Sequence, residues 1–349
     1  MSYSNIDKST NFFNTKLYTG NGGTQSITGV GFQPDWSWFK KRNNAADSSL
    51  IDAVRGVRKS LTSNNAEAEY TETTGLASWD SDGFSFDGAG YDHVNTNGDT
   101  FASWNWKAGT AVSGNTSGSG TYKTYTGSVN TTSGFSIIKY VGNGTAGHTI
   151  PHHLGTANIG SIFVKNLDSG SDYWYSYHKP LGATKTLILN ETDAVDTNTM
   201  WNNTAPTSSV FTLGSSSGSN TNNQNYIAYI FADIQGYCKT GSYTGNGNAN
   251  GTFVYTGFKP AFVMVKKTSG TGNWEIMDNK RDTYNAAITL LFPNLTNADA
   301  TSYNTDFLSN GFKQRVTASS RNASGSTYIY MAFAEAPLVG TNNVPCTAR

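Results

Sequence analysis

The chain has 349 residues, and its 24 Lys and Arg residues balance its 24 Asp and Glu residues, so the formal net charge is zero. A neutral chain lacks the basic surface that binding to nucleic acid or to an anionic membrane requires, so we expect neither kind of partner. Aromatic residues make up 13% and charged residues 14% of a chain rich in Gly, Ser, Thr and Asn, which is typical of an all-β extracellular or virion protein.

The N-terminal segment and the cysteines indicate how the chain is handled in the cell. MSYSNIDKSTNFFNTKLYTG has no basic region followed by an apolar run, so we expect no signal peptide. No later segment approaches the roughly 18 apolar residues of a membrane span, so we expect no membrane insertion. Cys238 and Cys346 lie outside any metal-binding spacing, which predicts no disulfide framework and allows assembly in a reducing cytoplasm.

One cassette, a mostly apolar segment that contains a lysine near its end, occurs three times along the chain. Its copies are GFQPDWSWFKK at 31–41, IGSIFVKN at 159–166 and GFKPAFVMVKK at 257–267. Each copy follows a YTGNG-like segment and precedes an aromatic segment (FASWNWKA, YIAYIFAD or YIYMAFAE) in the same order. Internal repeats of this kind fix both the domain count and the fold. The sequence therefore predicts three tandem β-sandwich modules, at residues 1–110, 121–238 and 239–349.

Short alternating runs between Gly, Pro and Asn residues predict half-buried strands. About six such runs per repeat suit a two-sheet sandwich. We expect Trp38, Phe163 and Phe262, or the residues that alternate with them, to lie in the sandwich cores. The Gly/Ser-rich segment 110–124 predicts a linker. The best helical candidate, 64–75, would form a turn or two.

The segment EAEYTE holds the acidic residues Glu67, Glu69 and Glu72 close together. It faintly resembles the acidic strand of laminarinase-type glycoside hydrolases, in which two carboxylates about 5 Å apart act as nucleophile and acid/base. No β-branched or aromatic run surrounds these acids to form such a strand. We therefore favour a solvated surface turn, and we predict no catalytic residue.

Two further groups contain residue types that bind metals. HTIPHH at 148–153 holds three histidines, to which His178 could add a fourth zinc ligand. Asp80 and Asp82 in SWDSDGF could bind calcium, although a terminal glutamate is missing. The other repeats supply no histidines that match the first group, and Asp-Gly is a common hairpin turn. We interpret both as turns and predict no metal site and no cofactor.

One pair of charged residues recurs between repeats. Asp52 and Arg55 stand at the same offset from the cassette lysine as Asp278 and Arg281, while His178 replaces the aspartate in the middle copy. A pair duplicated within one chain is rarely catalytic. We therefore predict that these are structural pairs, each closing a turn at a strand end through an ion pair.

The repeated motifs carry a resemblance to a known group of proteins. YTGNG, G-F-x-P followed by K-K, the D-x-x-R turn, SDGF and YIYMAFAEAP are similar to the repeat module of tail-fibre and other virion proteins of marine bacteriophages that infect cyanobacteria and SAR11-type bacteria. The resemblance covers essentially the whole chain. It implies a concanavalin-A-like or jelly-roll sandwich and a virion location, and it supplies no catalytic residues.

These observations predict a non-enzymatic virion protein, most simply a tail or surface fibre that contributes to host attachment. The alternatives are a head decoration or cement protein and a polysaccharide depolymerase built on a lectin-like sandwich. The expected partners are other virion proteins, further copies of the same chain (with a trimer favoured) and host surface glycans. The protein would assemble in the host cytoplasm and leave on lysis.

Overall fold

The computed structural model describes residues 3–301, 304–340 and 344–347. Within them the chain is all-β, as predicted, with 27 strands that pair antiparallel. Among the described residues, helical structure is confined to 3-10 turns at Ser9–Asn11 and Lys179–Leu181 and one α-helical turn at Ser217–Asn220. None of the described helices is long and apolar enough to cross a membrane. The helix considered for 64–75 is wrong, because that segment contains a short strand and no helix.

Repeat 1, here the strands β1 to β9, forms two sheets. The larger sheet has the order β1-β9-β3-β4-β5-β6 and the smaller one the order β2-β8-β7. The strands are β1 (Phe13–Thr19), β2 (Thr24–Thr28), β3 (Trp36–Lys41), β4 (Ser49–Asp52), β5 (Lys59–Leu61), β6 (Tyr70–Thr71), β7 (Leu76–Asp80), β8 (Gly83–Asp87) and β9 (Thr100–Trp106).

Repeat 2, here β10 to β20, also forms two sheets, in the orders β10-β12-β13-β20-β15-β16-β17-β18 and β11-β14-β19. Its strands are β10 (Thr110–Asn115), β11 (Ser117–Gly118), β12 (Thr124–Asn130), β13 (Phe135–Val141), β14 (His148–Pro151), β15 (Ile159–Asn166), β16 (Tyr175–His178), β17 (Lys185–Ile188), β18 (Asp196–Thr197), β19 (Val210–Leu213) and β20 (Asn225–Ala232). The linker predicted at 110–124 is wrong, since this segment supplies β10 and β11. Backbone pairing with β12 and β14 needs no apolar side chains.

Repeat 3, here β21 to β27, forms sheets in the orders β21-β27-β23-β24 and β22-β26-β25. Its strands are β21 (Cys238–Thr244), β22 (Phe253–Tyr255), β23 (Phe258–Lys267), β24 (Trp274–Asp278), β25 (Thr305–Leu308), β26 (Gly311–Gln314) and β27 (Thr327–Pro337).

One strand order recurs in the three larger sheets. The orders β1-β9-β3-β4, β13-β20-β15-β16 and β21-β27-β23-β24 match strand for strand. Lys40, Lys165 and Lys266 therefore lie on topologically equivalent strands, each between an aromatic strand and a short strand. The sequence repeat corresponds to a repeat of backbone topology.

Each repeat buries an apolar cluster that contains residues from both of its sheets. In repeat 1, Phe39 of β3 meets Phe84 of β8 edge-on, with ring centroids 5.2 Å apart. The corresponding cluster of repeat 2 includes Val164 and Phe211, and that of repeat 3 includes Val263 and Phe312. The larger and smaller sheets of each repeat therefore share a core.

A fourth cluster, here called the central cluster, joins the outer faces of the three larger sheets. Trp36 of repeat 1 stacks on Tyr229 of repeat 2 with centroids 4.2 Å apart. Phe163 of repeat 2 lies 6.4 Å from Trp274 of repeat 3, measured between ring centroids. Phe13 of repeat 1 stacks on a ring of repeat 3 at 4.9 Å. Every repeat therefore contacts both others through aromatic side chains.

The central cluster changes where the predicted core residues lie. Trp38, Phe163 and Phe262 are buried in this shared cluster and not inside their own repeats. The residues that alternate with them, such as Phe39 and Val164, fill the cores between the two sheets of a repeat. The central strands of each larger sheet are thus covered on both faces.

Candidate functional site

The cassette lysines are buried at the contacts between repeats. Each ammonium reaches into a loop of another repeat, and the three contacts close a ring in which repeat 2 reaches repeat 1, repeat 3 reaches repeat 2 and repeat 1 reaches repeat 3. Nζ donates to backbone carbonyl oxygens as follows: Lys165 to Ala66 (3.0 Å), Lys266 to Thr192 (3.0 Å) and Asp193 (2.7 Å), and Lys40 to Leu295 (2.6 Å).

These ammonium groups are held by carbonyl dipoles. Lys165 Nζ also donates to the carbonyl oxygens of Ser169 at 3.3 Å and Asp172 at 2.8 Å. Burial lowers the pKa of Lys40, Lys165 and Lys266 to about 8. Each lysine therefore stays mostly protonated at neutral pH and keeps its donors for the neighbouring loop.

A backbone hydrogen bond accompanies each lysine. The acceptor is in every case the carbonyl of the second residue after the lysine, and the donor is a backbone N–H of the contacted repeat. The three bonds run from Glu69 to Leu167 (2.9 Å), from Val195 to Thr268 (3.1 Å) and from Asp299 to Arg42 (2.7 Å). The same contact is thus made three times, which gives the ring a pseudo-threefold arrangement.

The Asp-x-x-Arg residues lie at the same contacts. Arg55 Nε donates to Asp52 Oδ2 at 2.5 Å, and its Nη2 donates to the Leu50 carbonyl at 2.8 Å. Tyr229 of repeat 2 donates its hydroxyl to Asp52 at 2.7 Å. The ion pair therefore closes a turn and also receives a donor from another repeat, which the sequence did not predict.

The second Asp-x-x-Arg pair repeats this geometry. Arg281 Nε donates to Asp278 Oδ2 at 2.6 Å, and Trp104 Nε1 of repeat 1 donates to the same oxygen at 3.1 Å. Burial alone would raise the pKa of Asp278, but the Arg281 guanidinium holds that pKa below its ordinary value. Both side chains of this pair are fully buried, so the carboxylate is an internal structural anion with no access to a substrate.

The middle copy of this contact is apolar. His178 replaces the aspartate and lies against Phe163 and Trp274, with ring centroids 5.9 and 5.8 Å away. Neither of its ring nitrogens meets a hydrogen-bond partner among the described residues. Burial lowers the pKa of His178 to about 3. The residue is therefore a neutral core side chain at neutral pH.

A repeated asparagine that the sequence interpretation missed anchors each YTGNG-like loop. Its buried side-chain oxygen accepts from a backbone N–H of the loop: Asn95 from Asn21 (3.0 Å), Asn220 from Asn143 (2.9 Å) and Asn322 from Asn246 (3.0 Å). The signal was present, because the three asparagines stand at one constant offset before Phe101, Tyr226 and Tyr328.

The first glycine of each of these loops is required by a close approach of two backbones. A Cβ on Gly20 would lie 2.3 Å from the Thr96 carbonyl oxygen, and Gly142 and Gly245 have equivalent neighbours at 2.3 and 2.4 Å. Such distances are well below van der Waals contact, so any side chain would displace the loop.

The acidic segment does not form a paired carboxylate site. Glu67 is exposed, while Glu69 pairs with Arg55 at 3.3 Å and with Lys59 at 3.6 Å. Glu72 is buried, and neither carboxylate oxygen meets a donor within bonding distance in the described part of the chain. Burial raises the pKa of Glu72 to about 7. The predicted solvated turn is wrong for Glu69 and Glu72, because this segment is the loop on which the lysine of repeat 2 docks.

The histidines of HTIPHH point to different partners. His148 Nδ1 bonds Asn220 Oδ1 at 2.9 Å, and His153 Nε2 bonds the Tyr125 hydroxyl at 2.9 Å. Over residues 3–301, 304–340 and 344–347, no group of three His, Cys, Asp or Glu residues could hold a metal ion. His148 and His153 therefore bond other side chains, whereas His152 bonds backbone groups of Thr207 and Leu154.

The aspartates of SWDSDGF organise hairpins. Asp82 accepts from the backbone N–H groups of Gly29 at 2.9 Å and Gly31 at 2.6 Å. Asp80 accepts from the hydroxyls of Ser78 at 2.8 Å and Ser85 at 2.5 Å. The carboxylate oxygens are thus occupied by protein donors, as expected of turn residues.

The fold defines an all-β protein whose three repeats close into one ring around a shared aromatic cluster. Residues 8–337 match the family model "Domain of unknown function (DUF7483)", so the chain belongs to this family. The match runs through all three repeats. No curated protein and no solved structure matches the chain.

Proposed function

We propose that this chain is a non-catalytic structural protein of a bacteriophage virion, a tail or surface fibre that contributes to host attachment. In this proposal the three repeats are concanavalin-A-like or jelly-roll sandwiches, in line with the motifs that resemble phage virion proteins. The proposal has the protein assemble in the host cytoplasm and leave on lysis.

The main support for the proposal is the structural role of the side chains that recur between repeats. These side chains are the cassette lysines, the Asp-x-x-Arg pairs and the loop asparagines. The lysines and the Asp-x-x-Arg pairs bond to another repeat, and the asparagines anchor a loop of their own repeat. A duplicated module that served catalysis would repeat reactive groups facing a cleft. Here the repeated chemistry supports a rigid building block.

The outer surface suits several weak contacts. The net charge is zero, so long-range attraction contributes little to encounter with a host surface. Aromatic side chains are nevertheless exposed around the molecule, namely Tyr91, Tyr122, Tyr173, Tyr255 and Tyr284. Multiplying such sites raises avidity by roughly 10²–10⁴ without new contact types. For this reason we propose assembly into homo-oligomers, with a trimer favoured, attached to other virion proteins.

The location of the protein in intact particles tests this proposal. Antibodies raised against the purified chain should label gradient-purified virions at the tail or at surface fibres, and the purified chain should bind host cells. Labelling confined to the head would indicate a decoration protein. Absence from the particles, or release of reducing ends from host polysaccharide by the purified protein, would overturn the proposal.

A further inference from the structure

A cavity of about 340 Å³ lies where three distant parts of the chain meet. Its walls come from the N-terminal segment (Tyr3), the turn after β16 (Lys179), the connection between β20 and β21 (Asp233), the start of β21 (Lys239) and β22 (Tyr255). The volume is at the small end of the roughly 300–1,000 Å³ that ligand sites occupy. The site depends on ring closure, because repeats 2 and 3 and the N-terminal segment all contribute.

The cavity combines an aromatic face with charged groups of both signs. The Tyr255 side chain is 47% exposed, and Lys239 Nζ lies 5.2 Å from its ring centroid while donating to its carbonyl at 2.9 Å. Lys179 Nζ lies 3.5 Å from Asp233 Oδ2. The hydroxyl of Tyr3 pairs with that of Tyr255 at 3.2 Å. Two ammonium groups therefore face one carboxylate, which leaves a net positive charge for a ligand to balance.

The carboxylate is held ready to accept hydrogen bonds. Asp233 Oδ1 accepts from the Thr240 N–H at 2.7 Å, which fixes the orientation of the side chain. Burial raises the pKa of Asp233 above its ordinary value, against the lowering effect of Thr240 and Lys179. Asn158 donates to the Asp233 carbonyl at 3.0 Å and accepts from Lys179, so the wall behind the carboxylate is itself hydrogen-bonded.

Because the ring is pseudo-threefold, repeats 1 and 3 each have a position equivalent to that of this cavity, here called a corner of the ring. Lys179 and Asp233 occupy the positions of Ala53 and Ala108 in repeat 1 and of Asn279 and Glu335 in repeat 3. The corner of repeat 1 has a cavity of about 520 Å³ whose described lining carries no charged side chain. In repeat 3, Asn279 donates to Glu335 at 2.7 Å and Lys259 lies 3.2 Å from the same carboxylate. Of the two cavities described at these corners, the one at repeat 2 combines charges of both signs with an aromatic wall, and the one at repeat 1 is uncharged.

We propose that this cavity binds one acidic sugar unit of a surface polysaccharide. The sugar carboxylate pairs with Lys179 and Lys239, its hydroxyls donate to Asp233, and the C–H face of the sugar packs on the Tyr255 ring. Sugars combine an apolar face with hydroxyl donors and acceptors, which is what this lining accommodates. The assignment rests on the attachment function proposed above, to which it adds a ligand class.

The test is a titration of the full chain with sodium glucuronate, followed by calorimetry or ligand-observed NMR. Methyl glucoside and inorganic phosphate serve as the neutral and non-sugar probes. We expect saturable binding of glucuronate in the millimolar range, with weaker binding of both other probes. Lys239→Met should weaken glucuronate binding on the order of tenfold, and Tyr255→Ala should weaken it as well.

Lys259→Met is the matched control, because Lys259 is a partly buried lysine at the equivalent corner of repeat 3. It should leave glucuronate binding unchanged. The proposal is overturned if glucuronate does not saturate, if phosphate binds as well as glucuronate and Tyr255→Ala has no effect, or if Lys259→Met weakens binding as much as Lys239→Met. These measurements use only the purified protein. A negative result would therefore overturn the glucuronate site without deciding the virion location, which the antibody labelling tests.

Discussion

Replacing Lys165 by methionine removes one of the three ammonium contacts that close the ring. Methionine keeps an unbranched side chain of similar length, so the cavity left behind is small. The change leaves four carbonyl acceptors without their charged donor, at Ala66, Asn166, Ser169 and Asp172. The perturbation therefore tests hydrogen bonding at the contact between repeats 1 and 2, separately from apolar burial.

The expected loss of stability is about 3 kcal/mol. The ammonium has three N–H donors for these four carbonyls, and three hydrogen bonds from a charged donor contribute roughly 2 kcal/mol each. Against this, burial lowers the pKa of Lys165 from 10.5 to about 8, which corresponds to roughly 3 kcal/mol that the variant recovers by not burying a charge. The net contribution of the lysine is thus positive but well below the sum of its bonds.

Urea unfolding followed by fluorescence of the eight tryptophans measures this loss. Lys139→Met is the matched control, since Lys139 is half-buried on β13 of the same repeat, and it should change stability by less than about 0.5 kcal/mol. Because the central cluster joins the repeats, both variants should unfold in one cooperative transition. A loss for Lys165→Met no larger than that of the control, or separate unfolding of repeat 2 in the parent chain, would refute the reasoning.

Three further variants test single buried positions by the same urea assay. His178 has its folded-state pKa lowered from 6.5 to about 3, so the unfolded chain takes up the proton first. Acidification to pH 5 should therefore cost roughly 2 kcal/mol, and His178→Phe should abolish this part of the acid sensitivity. Glu72 behaves in the opposite way, since burial raises its pKa from 4.5 to about 7. Stability should fall as pH rises through this interval, and Glu72→Gln should stabilise the protein at pH 8 by up to about 3 kcal/mol while changing little at pH 4. Gly20→Ala places a Cβ 2.3 Å from a carbonyl oxygen and should cost at least about 2 kcal/mol, whereas Gly23→Ala, which meets nothing within 4 Å, should cost less than about 1 kcal/mol. Equal effects of the two glycine substitutions, or an unchanged pH dependence in His178→Phe or Glu72→Gln, would contradict these assignments.

The sequence was sufficient to predict strands and a threefold repeat, but not how the faces of the strands are covered. Alternation in β3 suggests one buried and one exposed face, yet every residue of Trp36–Lys41 is buried. Ser37 and Lys40 are polar because they bond across the sheet and to another repeat. When two separate cores cover both faces of a strand, its sequence still alternates between apolar and polar residues if the buried polar side chains are hydrogen-bonded. Such a strand has the same sequence pattern as a half-exposed strand.

The polar contacts were predictable only in part. The Asp-x-x-Arg spacing indicated a local ion pair because the two residues are three apart. The donors that Tyr229 and Trp104 add to these carboxylates come from another repeat, and no local pattern encodes that approach. The loop asparagines could have been found, since their constant offset from the aromatic strand is visible in the sequence. The linker prediction for segment 110–124 was wrong because Gly and Ser are typical of linkers, whereas β10 and β11 are held mainly by backbone pairing.

The direction of the inter-repeat contacts has a consequence for biosynthesis. Each contact is heterologous: the edge of one repeat that carries the cassette lysine meets the edge of another repeat that carries the accepting loop. Once all three repeats are present, each lysine edge and each loop edge is covered by a partner. A nascent chain that has emerged only through repeat 2 carries one unfilled edge of each type, together with the aromatic face that repeat 3 later covers. Heterologous surfaces that fail to close propagate from chain to chain. We therefore expect chains truncated after repeat 2 to associate head to tail, whereas a chain that includes repeat 3 closes its own ring.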